Sequence, residues 1–202
     1  MTYPERSPER DAALDALVAT VPFEGWTIAA LRRAAGPDAD LLFPGGPLDM
    51  VETFCDLADR RMTAAPFAQE RLSDRVRAAL ALRFAQNTPH KEAIRRGLAI
   101  LAANPATAAR CTARTVDAIW HAAGDRSADF SWYSKRAILT GVYASTLLFW
   151  LRDDSEADAA TLAFLDRRLA GIGGLGRLRR KATALCGKAG ALKNCLSPRR
   201  AA

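Results

Sequence analysis

The sequence predicts an all-α fold of about ten helices, and three observations carry that reading. Half of its 202 residues are hydrophobic, with Ala and Leu dominant and β-branched residues sparse, a composition that favours helix over strand. Apolar residues recur at helical spacing. Helix start and stop signals punctuate the chain at short intervals. The length allows one sizeable domain, or a small one joined to a medium one.

Taken in order, Ser7-Pro8-Glu9 is an N-cap followed by proline at the first helical position. Leu14, Leu17, Val18 and Val21 then form one apolar face, and Pro22 is expected to end the helix. Thr27 caps a short helix with Ile28, Leu31 and Ala35 inward, stopped by Gly36-Pro37. A weak helix is expected from Asp38 to Phe43, and a longer one from Pro47 to about Ala65, with Val51, Phe54, Cys55, Ala58 and Met62 on one side. Helices follow near 69–86, 89–103, 105–123, 127–151 and 155–172, and a last one from about Gly176 to Leu196. Gly124 is placed to end one of these and Ser127 or Asp129 to cap the next, while Ser155 and Asp158 have the spacing of a capping box. Short helices followed by a longer fourth are similar in plan to a TetR-type DNA-binding module. The expected divisions are a helix-turn-helix-like module over 1–65, a helical domain over 66–172 and a terminal basic amphipathic helix within 173–202.

The chemistry of that module argues against DNA. The stretch standing where a recognition helix would lie, Pro37 to Pro47, has no cation, no amide and two carboxylates, Asp38 and Asp40. Groove reading needs Lys, Arg or amide side chains, and carboxylates beside phosphate add repulsion. Arg32 and Arg33 read as a solvated helix face. No nucleic-acid partner is therefore expected, and a TetR-type transcription regulator with an apolar ligand is the alternative.

Catalytic chemistry is equally thin. Cys55, Cys111, Cys186 and Cys195 contain no C-x-x-C pair and read as reduced thiols, the first two as core. His90 opens a helix and is expected at the surface, and Gly124 interrupts any ligand face joining His121 to Asp125 and Asp129. With no phosphate loop, nucleophile elbow or structural zinc set, the chain reads as a non-enzyme without a metal or cofactor.

Charge is uneven. After Asp166 the chain carries ten Lys and Arg and no acid, so a net +7 overall leaves the first 166 residues at −3. Within that tail, Leu178, Ala182, Leu185, Ala189, Leu192 and Leu196 form one apolar stripe. Arg177, Arg180, Lys181, Lys188 and Lys193 lie among its flanking cations, beyond a Gly171–Gly174 joint. Such a helix suits an anionic membrane surface, with packing on a body or partner, or a nucleic-acid arm, as rivals. The first eleven residues have neither an apolar signal core nor a transit-peptide composition, and no stretch is long enough to span a membrane. The expected location is the bacterial cytoplasm, peripheral to the inner membrane.

The most specific stretch runs from Gly124 to Ala137 and contains Phe130, Trp132 and Tyr133. With Trp120 before it, Val142-Tyr143 after it and Thr161 to Arg168 further on, it resembles the coenzyme Q (ubiquinone) biosynthesis lipid-binding family. The resemblance is specific over about 103–172. Ala128, Ser131 and Ser134 depart from that family's usual pattern while leaving its aromatic residues in place. It implies a TetR-like fold, an isoprenoid or phospholipid guest, a membrane-contacting terminal helix and support of a ubiquinone hydroxylase. The helix over 127–151 is apolar on most sides, which suits either the centre of a bundle or the wall of a pocket. The resemblance favours the pocket, lined by Ile138, Gly141, Val142, Tyr143, Ser145, Leu147 and Leu148. Trp132 and Tyr133 point about 100° apart on a helix, so one is expected at the surface. With Asp117, Ile119, Trp120 and Asp129, they form the expected hydroxylase-docking patch, on a protein expected to be a homodimer.

Overall fold

The computed structural model describes residues 3–125 and 131–171. Among these it contains nine α-helices and no strand. They are α1 (Pro8–Val18), α2 (Val21–Glu24), α3 (Ile28–Ala35), α4 (Gly46–Thr63), α5 (Leu72–Ala85), α6 (Lys91–Ala102), α7 (Pro105–Ala122) and α8 (Ser131–Trp150), with α9 over 159–171. Ser127 and Asp129 lie outside the described residues, as do Cys186, Cys195 and the tail helix with its Arg177, Leu178, Arg180, Lys181, Leu185, Lys188, Leu192 and Lys193. None of the described helices is long and apolar enough to cross a membrane.

Local signals set most helix ends. Ser7 Oγ accepts from Arg10 N at 3.2 Å and Thr27 Oγ1 from Ala30 N at 3.1 Å, so both predicted caps form. Gly124 closes α7 with φ of 77°, a conformation that favours glycine. Pro22 behaves differently from expectation. The chain has already left α1 at Ala19, and Pro22 sits in the first turn of α2, where its missing N–H costs nothing. Ala35 is exposed, and Ala30 takes the inward position beside Leu31. The weak helix after Gly36 shrinks to a 3-10 turn over Ala39–Leu42.

α4 organises the body. Towards α1 it presents Asp49, Thr53, Asp56 and Arg60 at steps of four, three and four, a polar line along one face. Buried Arg10 reaches Asp49 Oδ1 at 2.5 Å and Thr53 Oγ1 at 2.8 Å, with its guanidinium 4.5 Å from the Phe43 ring centre. Arg6 grips both oxygens of Asp56 at 2.8 and 2.6 Å, and Arg60 grips both of Asp11 at 2.8 and 2.6 Å. Towards α5 and α7, Asp59 accepts from Arg83 Nε at 3.0 Å and from Thr115 Oγ1 at 2.9 Å. Two apolar clusters meet along this helix. One gathers Leu14, Leu17, Leu31, Phe43 and Met50; the other gathers Met62, Leu80, Ile119, Tyr143 and Trp150.

The segment after α8 is fixed by carboxylates. Asp153 Oδ1 accepts from Ser155 N at 2.9 Å, and its Oδ2 accepts from Thr161 N and Oγ1 at 2.7 and 2.6 Å. The expected capping box does not form. Ser155 Oγ instead accepts from Ala160 N at 3.0 Å, and Asp158 points away to Lys91, Thr88 and Trp150 at 2.6, 2.7 and 3.2 Å. Ala157 and Asp158 both take positive φ, 51° and 55°, a strained backbone that these long-range bonds hold in place. Burial favours the neutral form of both carboxyls, but their hydrogen bonds outweigh it and hold each below the ordinary carboxylate range.

Three outcomes are expected. Asp158→Asn, which keeps the shape but loses the charge facing Lys91, costs about 2–3 kcal/mol by urea unfolding. Asp59→Ala strands the buried Arg83 cation and costs about 3–5 kcal/mol by the same measurement. Because Asp153 and Asp158 have lowered folded-state values, their stabilisation is complete above the unfolded value near pH 4. It drains away as pH falls through the folded values, so the unfolding midpoint declines on acidification below about pH 4 in wild type and less in Asp158→Asn.

Candidate functional site

α8 divides into two faces. Tyr143, Leu147 and Trp150, at steps of four and three, turn inward, while Gly141, Ser145 and Leu148 repeat the same steps on the opposite side. The inward residues close a cavity of about 70 Å³. Its apolar wall comes from Trp26 in the α2–α3 connection, Phe54 of α4, Phe84 of α5, and Leu98 and Leu101 of α6. Trp26 is fixed by its Nε1–H donating to Ala93 O at 2.9 Å. Gly97 lets α6 come close, since a Cβ there would stand 3.4 Å from both Trp26 Nε1 and Val51 Cγ1.

One side of the cavity is polar. Arg83, Thr115 and Tyr143 line it, with Cys55 and Cys111 beside them. Burial pushes the Asp59 carboxyl up, against the pull of Arg83 and Thr115, and pushes the Tyr143 hydroxyl up to about 12. Tyr143 therefore keeps its proton at any ordinary pH, on the side of the cavity where Thr115 and Arg83 bond to Asp59.

With each water taking about 30 Å³ in the liquid, the cavity of about 70 Å³ has room for about two waters and not for a polyisoprenoid. It is separated by a thin wall from an outer groove of about 570 Å³ between α6, α7 and α8. Leu98, Leu101 and Thr112 line both spaces. Leu148 and Arg152 continue that groove into a further 500 Å³ beside Phe149 and Phe164. A third, largely apolar groove of about 310 Å³ lies between α5, α7 and α8, lined by Leu72, Val76, Trp120, Ile138 and Leu139.

The predicted pocket residues are thus distributed among different surfaces. Tyr143 and Leu147 line the cavity. Val142 is packed in the core at 5% exposure, and Ile138 faces the third groove. Gly141, Ser145 and Leu148 are on the outside. A Cβ at Gly141 would meet nothing, Ser145 Oγ accepts from Arg168 Nε at 3.2 Å, and Leu148 is 62% exposed. The small residues do not open the cavity because helical period turns them away from it. Trp26, Phe54, Arg83 and Leu98 line it without having been singled out; only the whole fold brings them to α8.

The aromatic patch forms in part. Tyr133 is 70% exposed, and its ring meets Trp132 edge-to-face at 4.8 Å. The Arg136 guanidinium stacks 3.7 Å from the Trp132 ring centre and pairs with Asp117. Trp120 sits nearby, next to Lys135, with its Nε1–H buried and without a partner. Ile119 does not belong to the patch. It is fully buried, because one residue along a helix from Trp120 is a turn of about 100°. Asp129 lies outside the described residues.

His90 is half-buried, edge-on to Phe54, instead of exposed, and burial and nearby Arg61 lower its basicity. No group of three metal-ligating side chains occurs among the described residues. In the helix-turn-helix-like module Arg32 and Arg33 are not simply solvated. Arg32 clasps Asp40 at 3.0 and 2.6 Å, and Arg33 holds Glu24 at 3.1 and 2.5 Å. Cys55 and Cys111, distant in sequence, line the same cavity, and each perturbs the ionisation of the other.

Residues 105–176 match the COQ9 family model. Relatives include the mitochondrial ubiquinone biosynthesis proteins COQ9 of Xenopus tropicalis, 28% identical and covering 83% of this chain and 59% of the relative, and of Rattus norvegicus, at 30%, 77% and 56%. The human COQ9 protein is 29% identical over 77% of this chain and 55% of its own length. The chain thus spans less than three fifths of the length of these relatives. In fold it is similar to a TetR transcriptional regulator from Nitrosomonas europaea, with a TM-score of 0.66, 24% identity, and coverage of 81% of this chain and 97% of the other. The expected bacterial cytoplasmic location is overturned, since these relatives are named as mitochondrial. That expectation rested on eleven N-terminal residues, which carry no weight beside relatives longer than the chain. The match over α7, α8 and α9 and the all-helical architecture agree, and the chain is a COQ9-like protein with a TetR-like fold.

Proposed function

We propose that this chain is a non-enzymatic accessory protein of ubiquinone biosynthesis. It binds an isoprenoid lipid and presents it to a hydroxylase at a membrane surface. The observation that carries this reading is the cavity beside Tyr143 and Leu147, separated from a larger outer groove only by Leu98, Leu101 and Thr112. A polyisoprenoid lies with its length in the groove, and its oxygen-bearing end crosses into the cavity when α6 parts from α7. There Arg83, Thr115 and Tyr143 offer polar groups in an otherwise apolar space. The hydroxylase docks on Tyr133 and Trp132, an exposed aromatic pair with charged neighbours of the kind that dominates interfaces. The outer face of α8 at Leu148, which is exposed among the described residues, is the surface for a second copy. Residues 1–65 act as a brace for the pocket and 173–202 as its membrane contact.

The TetR-like fold favours one other reading, a transcription regulator. The geometry of the module weighs against it: a 3-10 turn stands where a groove-reading helix is needed, and Arg32 and Arg33 are engaged by Asp40 and Glu24.

Gently purified protein should carry an isoprenoid or phospholipid in native mass spectrometry. Leu147→Trp, which fills the cavity, should lower that occupancy about tenfold, a loss of about 1.4 kcal/mol, with its near-ultraviolet circular dichroism retained. Wild-type protein arriving empty sinks the lipid reading. Tyr133→Ala should weaken capture of the hydroxylase at least tenfold without altering lipid content. Tight, sequence-selective gel shifts at physiological salt would favour the regulator instead.

A further inference from the structure

We propose that Cys55 and Cys111 are a redox modification site in the cavity wall, a thiol pair that a hydroperoxide converts to a reversible disulfide between α4 and α7. Both are free thiols, one on α4 and one on α7, both line the same cavity, and each perturbs the ionisation of the other. Arg114 Nη2 stands 3.4 Å from Cys111 Sγ, whereas the Arg83 cation that acts on Cys55 is paired with Asp59, so the two sulfurs are unequal. The neighbouring Cys55 thiol lowers Cys111, and the Arg114 cation adds to this against burial and the Glu52 charge; the Cys111 neighbour and burial raise Cys55. Cys111 is the nucleophile and Cys55 the resolving thiol, because the thiolate is the reactive form.

Access follows from the cavity, which has room for molecules of water size and whose wall at Thr112 also borders the outer groove. In the first step the Cys111 thiolate attacks one oxygen of the hydroperoxide. The O–O bond breaks, an S–O bond forms, and the other oxygen leaves as alkoxide or hydroxide and takes up a proton. In the second step the Cys55 sulfur attacks the sulfenic sulfur. The S–S bond forms, the S–O bond breaks, and hydroxide leaves with the Cys55 proton as water. Two thiols are oxidised by two electrons and one hydroperoxide is reduced to an alcohol, or to water, plus water. The bond joins residues on two helices that frame the cavity, so it ties lipid access to oxidant level.

The test uses the full chain in a Cys186→Ser/Cys195→Ser background with hydrogen peroxide as the probe. The expected result is loss of two hydrogens in the intact mass, a peptide cross-link joining Cys55 to Cys111, and full reversal by dithiothreitol. The unfolding midpoint of the oxidised form should rise by about 5 °C. Adding Cys55→Ser should leave a Cys111 sulfenic acid that dimedone traps, whereas adding Cys111→Ser should leave Cys55 unlabelled on the same time scale. Absence of the cross-link in folded protein overturns the proposal, and equal dimedone labelling of the two single-cysteine variants overturns the assignment of the nucleophile.

Discussion

The ion pair between Asp59 and Arg83 is the constraint on which the interior depends. Both side chains are buried, one on α4 and one on α5. Thr115 of α7 donates to the same carboxylate, and Tyr143 of α8 lines the cavity beside Thr115 and Arg83. Four helices therefore converge on one polar node. Taking two charges out of water is costly unless geometry and hydrogen bonds are good, and here the carboxylate accepts from two donors. A node of this kind cannot be squeezed into an apolar neighbour without losing its bonds. That resistance explains why a hollow survives beside it in an otherwise close-packed bundle.

The parts of the fold that sequence reading recovered are those whose physics is local. Ser7, Thr27 and Gly124 act on residues three or four positions away, so their roles were legible from the residues themselves. Ser155 and Asp158 have the same spacing as a capping box, yet Asp158 is taken by Thr88 and Lys91, about seventy residues away. No local pattern could announce that. α8 shows both cases at once. Its helical period separates Tyr143 and Leu147 from Gly141 and Ser145, a division that was available in the sequence. Which face looks on a cavity depends on Trp26, Phe54 and Leu98 arriving from elsewhere. Ile119 illustrates the cost of ignoring the period: grouped with Trp120 for its neighbourhood, it turns into the core.

The N-terminal helices belong to a fold that is similar to that of a TetR regulator. The two arginines on α3 are folded back on Asp40 and Glu24, and the next segment is a single 3-10 turn. The same region contributes packing: Trp26 and Val51 line the cavity. Likeness of fold does not by itself carry the role of the protein that shares it.

The wall formed by Leu98, Leu101 and Thr112 has a kinetic meaning. A molecule held behind it is retained by a barrier distinct from its binding energy, because the inner lining sets how tightly it sits and the wall sets how long it stays. Grip and residence are then set by different residues, the first by those that line the inner space and the second by the three that divide it from the groove.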